Sequence, residues 1–152
     1  VFRTRKEDMN LYTETMVDEL WHKLESYKIL EKKRKVFLEK ISFYQEQIKS
    51  FYTAKGVSFD RIHIENPTGQ DKILNDIISK QQSYEAQYML NECHIKALET
   101  IRDLCCEEVK EMIQKKFFEG KTWDWMQYEG FYKSSHAIRY QIRKELAKLV
   151  EH

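Results

Sequence analysis

The sequence predicts an all-α protein: a long, coiled-coil-like helical N-terminal and central region, followed by a C-terminal helix-turn-helix. Three observations carry that expectation. Only 4 Gly and 1 Pro occur in 152 residues, so helix breakers are scarce. Apolar residues recur at alternating spacings of three and four, which paints one stripe along a helix. Near the C-terminus, a glycine, a threonine and a serine pair stand where short helices would stop and start.

Residues 6–54 read as helix. Val17, Leu20, Leu24 and Tyr27, then Phe37, Ile41, Tyr44, Ile48 and Phe51, form the apolar stripe and suit a coiled-coil-like seam. The polar run Glu31-Lys32-Lys33-Arg34-Lys35 interrupts it and predicts a kink, or a division into two helices. The run reads as a solvated helix face, with contact to DNA or a partner as the alternative. A loop is expected near 55–70. Lys55-Gly56-Val57-Ser58 ends the first helical region, and Asn66-Pro67-Thr68-Gly69 is a turn signature. Between them, Phe59, Ile62 and Ile64 read as a stretch extended across the core.

Asp71 then offers an acidic first turn to the next helix. Neither Gly nor Pro occurs between Gly69 and Gly120, and the apolar positions are Ile73, Ile77, Tyr84, Tyr88, Ile95 and Leu98, then Leu104, Val109, Met112 and Ile113. One very long helix is expected here, or two joined near Asp103 with Glu107 and Glu108 in the first turn of the second. The tyrosines, at helical spacing, read as packing residues. The domain division that follows is a helical body over 1–103 and a helix-turn-helix domain over 104–152.

In that second domain Phe117-Phe118-Glu119-Gly120 ends a helix, with Gly120 as a left-handed cap. Thr122 caps the next short helix, whose apolar face is Trp123 and Met126. Trp123 is the expected central core residue, whereas Trp125 either packs on the body or faces a partner. Tyr128 to Tyr132 reads as the turn, with Gly130 free to take a positive φ and Phe131 or Tyr132 plugging the core. Ser134 or Ser135 caps the last helix. Ile138, Ile142, Leu146 and Leu149 form its buried stripe.

Composition narrows the function. Lys+Arg 26 against Asp+Glu 25 leaves a net charge of +1, so any nucleic-acid reading must rest on local clustering. Between Lys115 and Leu149 there are eight basic residues against four acidic ones. The three cysteines, Cys93, Cys105 and Cys106, form no C-x-x-C pair, and neighbours on a helix point about 100° apart. They read as reduced, mostly buried small apolar residues in a reducing cytoplasm. A signal peptide and a run of about 18 apolar residues are both lacking, so the expectation is a protein that neither is secreted nor spans a membrane. The chain begins at Val1 and not at Met, as trimming from the front would leave it. An enzyme, a cofactor and a metal are not expected: there is no glycine-rich phosphate loop and no His-Glu-x-x-His, and His22, His63, His94, His136 and His152 lie far apart. The acidic pairs Glu107-Glu108 and Asp71 with Asp76 read as helix-surface acids.

The candidate DNA-binding residues are Thr122, Lys133, Ser134, Ser135, His136, Arg139, Tyr140, Arg143, Lys144 and Lys148. His136, Arg139, Tyr140 and Arg143 share a surface of helix 135–149 that suits base edges, since arginine pairs bidentately with guanine. Lys133, Lys144 and Lys148 suit phosphates, as do the serine hydroxyls and free N–H groups at the helix start. An amphipathic terminal helix with a solvated basic face is the plain alternative.

These residues also carry a resemblance. Phe-Phe-Glu-Gly-Lys-Thr-Trp (117–123), then Tyr-Lys-Ser-Ser (132–135) with Arg139 and Leu146, resembles the sigma-factor region-4-like domain of small phage transcriptional regulators of the autolysin-regulator (ArpU-like) and late-gene-activator (RinA-like) group. Gly-Val-Ser-Phe-Asp-Arg-Ile (56–62) and Gly-Gln-Asp-Lys-Ile-Leu-Asn-Asp-Ile-Ile (69–78) resemble the segment those proteins place between an N-terminal and a central helix. The likeness covers roughly residues 15–150. The chain departs from it at Trp125-Met126-Gln127, where the family usually has an Ile-Ala pair, and in a turn about one residue longer than the standard one. The resemblance implies a sequence-specific transcriptional regulator, an activator of phage or mobile-element late genes in a bacterial host cell. Its partners would be double-stranded DNA and host RNA polymerase, with a homodimer formed through the long helices. The competing expectations are a small-terminase-like DNA-packaging ring and a helical adaptor or inhibitor that binds protein without DNA.

Overall fold

The computed structural model describes the backbone of residues 5–54 and 69–151 and the side chains of 11–53 and 71–151. The protein is all-α, with no strand among the described residues. The helices are α1 (Arg5–Glu25), α2 (Tyr27–Ala54), α3 (Gly69–Asp103), α4 (Glu107–Ile113), α5 (Trp123–Trp125) and α6 (Ser135–Val150). Two π-helical turns, Gln114–Phe118 and Met126–Gly130, extend α4 and α5. None of the described helices is long and apolar enough to cross a membrane. The expected helix end at 55–58 and the extended stretch at 59–64 lie outside the described residues. Of the Asn66–Gly69 turn only Gly69 is described, and it opens α3.

The first helical region divides at Ser26, one turn before the polar run where the sequence predicts the break. The Ser26 N–H is shared between the His22 and Lys23 carbonyls at 3.2 and 3.1 Å. Its hydroxyl donates to the Lys23 carbonyl, a local bond that competes with regular helix. The polar run stays helical. Lys32, Lys33 and Lys35 are exposed, while Arg34 turns inward to Glu92.

The chain forms two compact units: Glu31–Cys93, and Val1–Leu30 together with His94–His152. In the first, α2 and α3 run antiparallel. Arg34 engages Glu92 with two guanidinium nitrogens, the Nη2–Oε2 bond being 3.1 Å. Tyr84 stacks on Tyr44 and tilts against Phe37. Ile48, Tyr52 and Leu74 are buried together. Leu74 takes the place the sequence assigns to Ile73, which is 59 % exposed. Both are apolar and adjacent, so the stripe alone cannot choose between them. Burial, and then the Asp71 carboxylate, raise the Tyr52 phenol above its ordinary value.

In the second unit α1 packs along α6. The sequence division at 103/104 groups α1 with the helical body, whereas Val17 and Leu24 of α1 share one buried cluster with Ile138, Ile142 and Leu146 of α6. Val109, Met112 and Ile113 of α4 and Phe117 and Phe118 of its π turn complete that cluster. Each such side chain contributes about 1.5–3 kcal/mol on burial. Between α3 and α4 the chain breaks at Leu104–Cys106, as expected, but Leu104 itself is exposed. Glu145 of α6 accepts the Cys106 N–H at 3.2 Å and so serves the start of α4.

Candidate nucleic-acid interface

The C-terminal helices are set by local signals that the sequence carries. Gly120, at φ 75°, closes the π turn after α4, and the Lys121 N–H returns to the Lys115 carbonyl at 2.9 Å. Thr122 caps α5, its hydroxyl oxygen accepting the Trp125 N–H at 3.1 Å. Met126, fully buried, is the core residue of this short segment. Trp123, expected at the centre, is half-buried instead, with its ring between α1 and α6 side chains.

The turn differs from expectation in a way that geometry explains. Helix continues to Gly130 through a π turn, with the Phe131 N–H bonded to the Met126 carbonyl at 2.9 Å. A π turn holds one residue more than an α turn, so helix takes up the stretch from Met126 to Gly130 that the sequence assigns in part to the turn. Gly130 does not carry the positive φ; Tyr132 does, at 54°. Gly130 is glycine for lack of room, since an added Cβ would lie 2.6 Å from Cζ3 of Trp125. Phe131 packs against the core, and Tyr132 is exposed. Ser134 then caps α6, accepting the Ala137 N–H at 3.2 Å. Ser135 opens the helix, its N–H directed to Gln127 Oε1 at 3.4 Å.

The ten sequence-derived site residues all lie on or beside α5 and α6, but they do not form one face. Arg139 and Arg143 line one cleft, together with Trp21, Glu25, Lys116, Phe117 and Trp123. Tyr140, Lys144, Lys133 and Lys148 line a second, of about 460 Å³, with Glu108 and Glu145. His136 is exposed and borders neither. The division follows from helix geometry: Arg139 and Arg143 are four apart, while Tyr140 and Lys144 each follow by one residue, about 100° around the axis.

Most of the cations are already engaged. Arg143 donates to Asp18 Oδ1 at 2.6 Å. Lys133 pairs with Glu108, and Lys148 donates to Glu145 Oε1 at 3.0 Å. That Lys148 bond, followed by the Cys106 amide, holds the Glu145 carboxyl below its ordinary value despite partial burial. Lys144 makes no ion pair among the described residues, and Arg139 lies with its guanidinium carbon 4.5 Å over the Trp123 ring. Thr122 and Ser134 spend their hydroxyl acceptors on capping.

Sequence reasoning missed three participants. Lys116 stands 4.7 Å over the Trp123 ring and donates to the Lys121 carbonyl at 3.0 Å. Burial first, then Arg139, lower its ammonium below the ordinary value, with Glu25 opposing. Trp21 stacks parallel to Trp123 at 6.3 Å and meets Phe117 edge-on at 5.1 Å. Asp18 and Trp21 belong to α1, about a hundred positions away in sequence from their partners, and no local pattern announces them. Among the described residues, no group of three His, Cys, Asp or Glu side chains is placed to hold a metal ion.

Comparison of the chain with protein-family models, with curated proteins and with solved structures found no match.

Proposed function

We propose that the chain is a sequence-specific DNA-binding transcriptional regulator whose α6 enters the major groove. The carrying observation is the outer surface of α6: a Ser134-capped helix that exposes His136, Arg139, Tyr140 and Lys144 beyond a buried Ile138–Ile142–Leu146 stripe. In this reading α4, α5 and α6 act as a helix-turn-helix of sigma-region-4 type. Arg139 and Tyr140 meet base edges, and Lys144 and the His136 N–H of the first turn meet phosphates. The resemblance to ArpU-like and RinA-like phage regulators supports an activator of late genes. The long α2 and α3 would then form a coiled-coil-like body for homodimerisation or for contact with RNA polymerase.

The test is duplex binding across a salt series, with DNA selected from a fragmented genome. Contact with several phosphates gives a steep fall of affinity with salt. Arg139→Ala should cost about 1–3 kcal/mol on the selected site and blur base preference. Lys144→Ala should weaken all duplexes alike. Affinity that ignores salt, or a selected pool without a common sequence, would count against the proposal.

A second reading, a helical adaptor that binds protein and not DNA, has one observation in its favour. Arg143, Lys133 and Lys148 are each paired with a carboxylate, which reduces the positive potential of α6. Salt-independent capture of a protein partner without duplex binding would select it.

A further inference from the structure

We propose that the cleft between α1, the π turn after α4, α5 and α6 binds a phosphate group, held by Lys116, Arg139 and Arg143 against the indole wall of Trp21 and Trp123. The cleft is open and measures about 520 Å³, within the size range of small-ligand sites. Three cations line it against a single carboxylate, Glu25. Asp18, outside the lining, takes part of the Arg143 charge.

The two remaining cations are held but not neutralised. No acceptor among the described residues bonds Arg139; its guanidinium carbon lies 4.5 Å over the Trp123 ring, a cation–π contact that consumes none of its N–H donors. Lys116 gives one proton to the Lys121 carbonyl and retains two. Arg139 and Lys116 crowd the same indole, and burial first, then that repulsion, lower the Lys116 ammonium. An anion seated between them relieves both. A phosphomonoester suits the arrangement better than a carboxylate, because it offers three oxygens to three separate donors and carries nearly two charges; a backbone phosphodiester, with two free oxygens and one charge, would engage Lys116 and Arg139.

Phosphate chemistry has two sources, a free phosphomonoester or the backbone of a duplex. The probes are inorganic phosphate, adenosine monophosphate and a short duplex. Each is titrated into the full chain in a Trp125→Phe background, where of the three tryptophans only Trp21 and Trp123 report by fluorescence. A saturable emission change is expected. Lys116→Gln and Arg139→Gln should each weaken it about tenfold or more, the loss expected for a charge-assisted contact. Lys96→Gln, on exposed α3 surface, should leave it unchanged. Circular dichroism reports whether each variant is folded, and Arg139→Lys, which keeps the charge, should retain part of the binding.

A response to phosphate or adenosine monophosphate assigns the site to a free ligand. A response to the duplex alone assigns it to a backbone phosphate and moves Arg139 from base reading to backbone contact, leaving Tyr140 on the base edges. No saturable response to any probe, or curves for Lys116→Gln and Arg139→Gln that overlie the parent, would overturn the proposal. The free-ligand outcome does not depend on α6 reading DNA: phosphate binding without duplex binding would sink the regulator and leave the cleft standing.

Discussion

Asp18 of α1 holds Arg143 of α6, its Oδ1 accepting from the guanidinium Nη2 at 2.6 Å across 125 positions of sequence. The contact ties α1 to α6. It also places a carboxylate against an arginine that the sequence assigns to base reading.

Asp18→Asn separates those two effects. Both side chains are well exposed, 58 % for Asp18 and 40 % for Arg143, so the pair should contribute no more than about 1 kcal/mol to stability. A urea melt should therefore shift little. Duplex affinity at low salt should rise severalfold, since a positive charge is freed and a negative one removed. Unchanged affinity would show that Arg143 does not face DNA.

Gly130→Ala tests the close approach of Trp125. The new methyl would meet the indole at well under contact distance, and overpacking of this kind costs about 1–3 kcal/mol. Replacing Trp125 by Ala in the same chain should recover part of the loss in a urea melt. A simple sum of the two single effects would mean that the ring and the methyl do not compete.

Ile142→Ala and Ile73→Ala separate the true stripe from the apparent one. Ile142 is fully buried, and its truncation should cost about 2–5 kcal/mol. Ile73 is mostly exposed, and its truncation should stay within about 0.5 kcal/mol. Equal losses in denaturant would return Ile73 to the core.

Acid should loosen the second unit through its lowered carboxylates. The Lys148 bond holds Glu145 down, the Arg102 bond holds Asp103 and the Lys115 bond holds Glu119. A carboxylate depressed in the folded state stabilises above its ordinary value and loses that contribution as pH falls through the folded one. Stability should thus be flat near neutrality and decline below about pH 4.5. Glu145→Gln should flatten part of that decline, as measured by thermal melts at stepped pH.

Thiol accessibility gives an independent check on the α3–α4 junction. Against the expectation of mostly buried cysteines, Cys93 and Cys106 are exposed and Cys105 alone of the three is buried. Burial, and then Glu145 and Cys106, push the Cys105 thiol up to about 11. At pH 8 two thiols per chain should react quickly with an aromatic disulfide reagent, and the third only on unfolding. Three fast thiols would mean that the junction opens.

What the sequence made legible was whatever is written within one turn of helix. Gly120, Thr122 and Ser134 act on backbone groups no more than a few residues away, and the Ile138–Ile142–Leu146 stripe is a single-helix property. The choice between Ile73 and Leu74 needed the opposing helix. The role of Gly130 needed the position of the Trp125 ring. The split of the α6 cations is likewise a single-helix property, but the partners that hold them, Asp18 and Trp21 of α1 among them, have no periodic relation to them. Caps and stripes are local physics, whereas the pairing of helices distant in sequence is decided by the packed core as a whole.

The union of Val1–Leu30 with His94–His152 has a consequence for synthesis. A ribosome delivers Val17 and Leu24 long before Ile142 and Leu146, so these earlier apolar residues wait without their final partners until α6 has emerged. Closing that long loop is an entropic cost met only then. Chains truncated before α6 should therefore be the ones that chaperones and proteases find, and α6 decides whether α1 is ever safely stored.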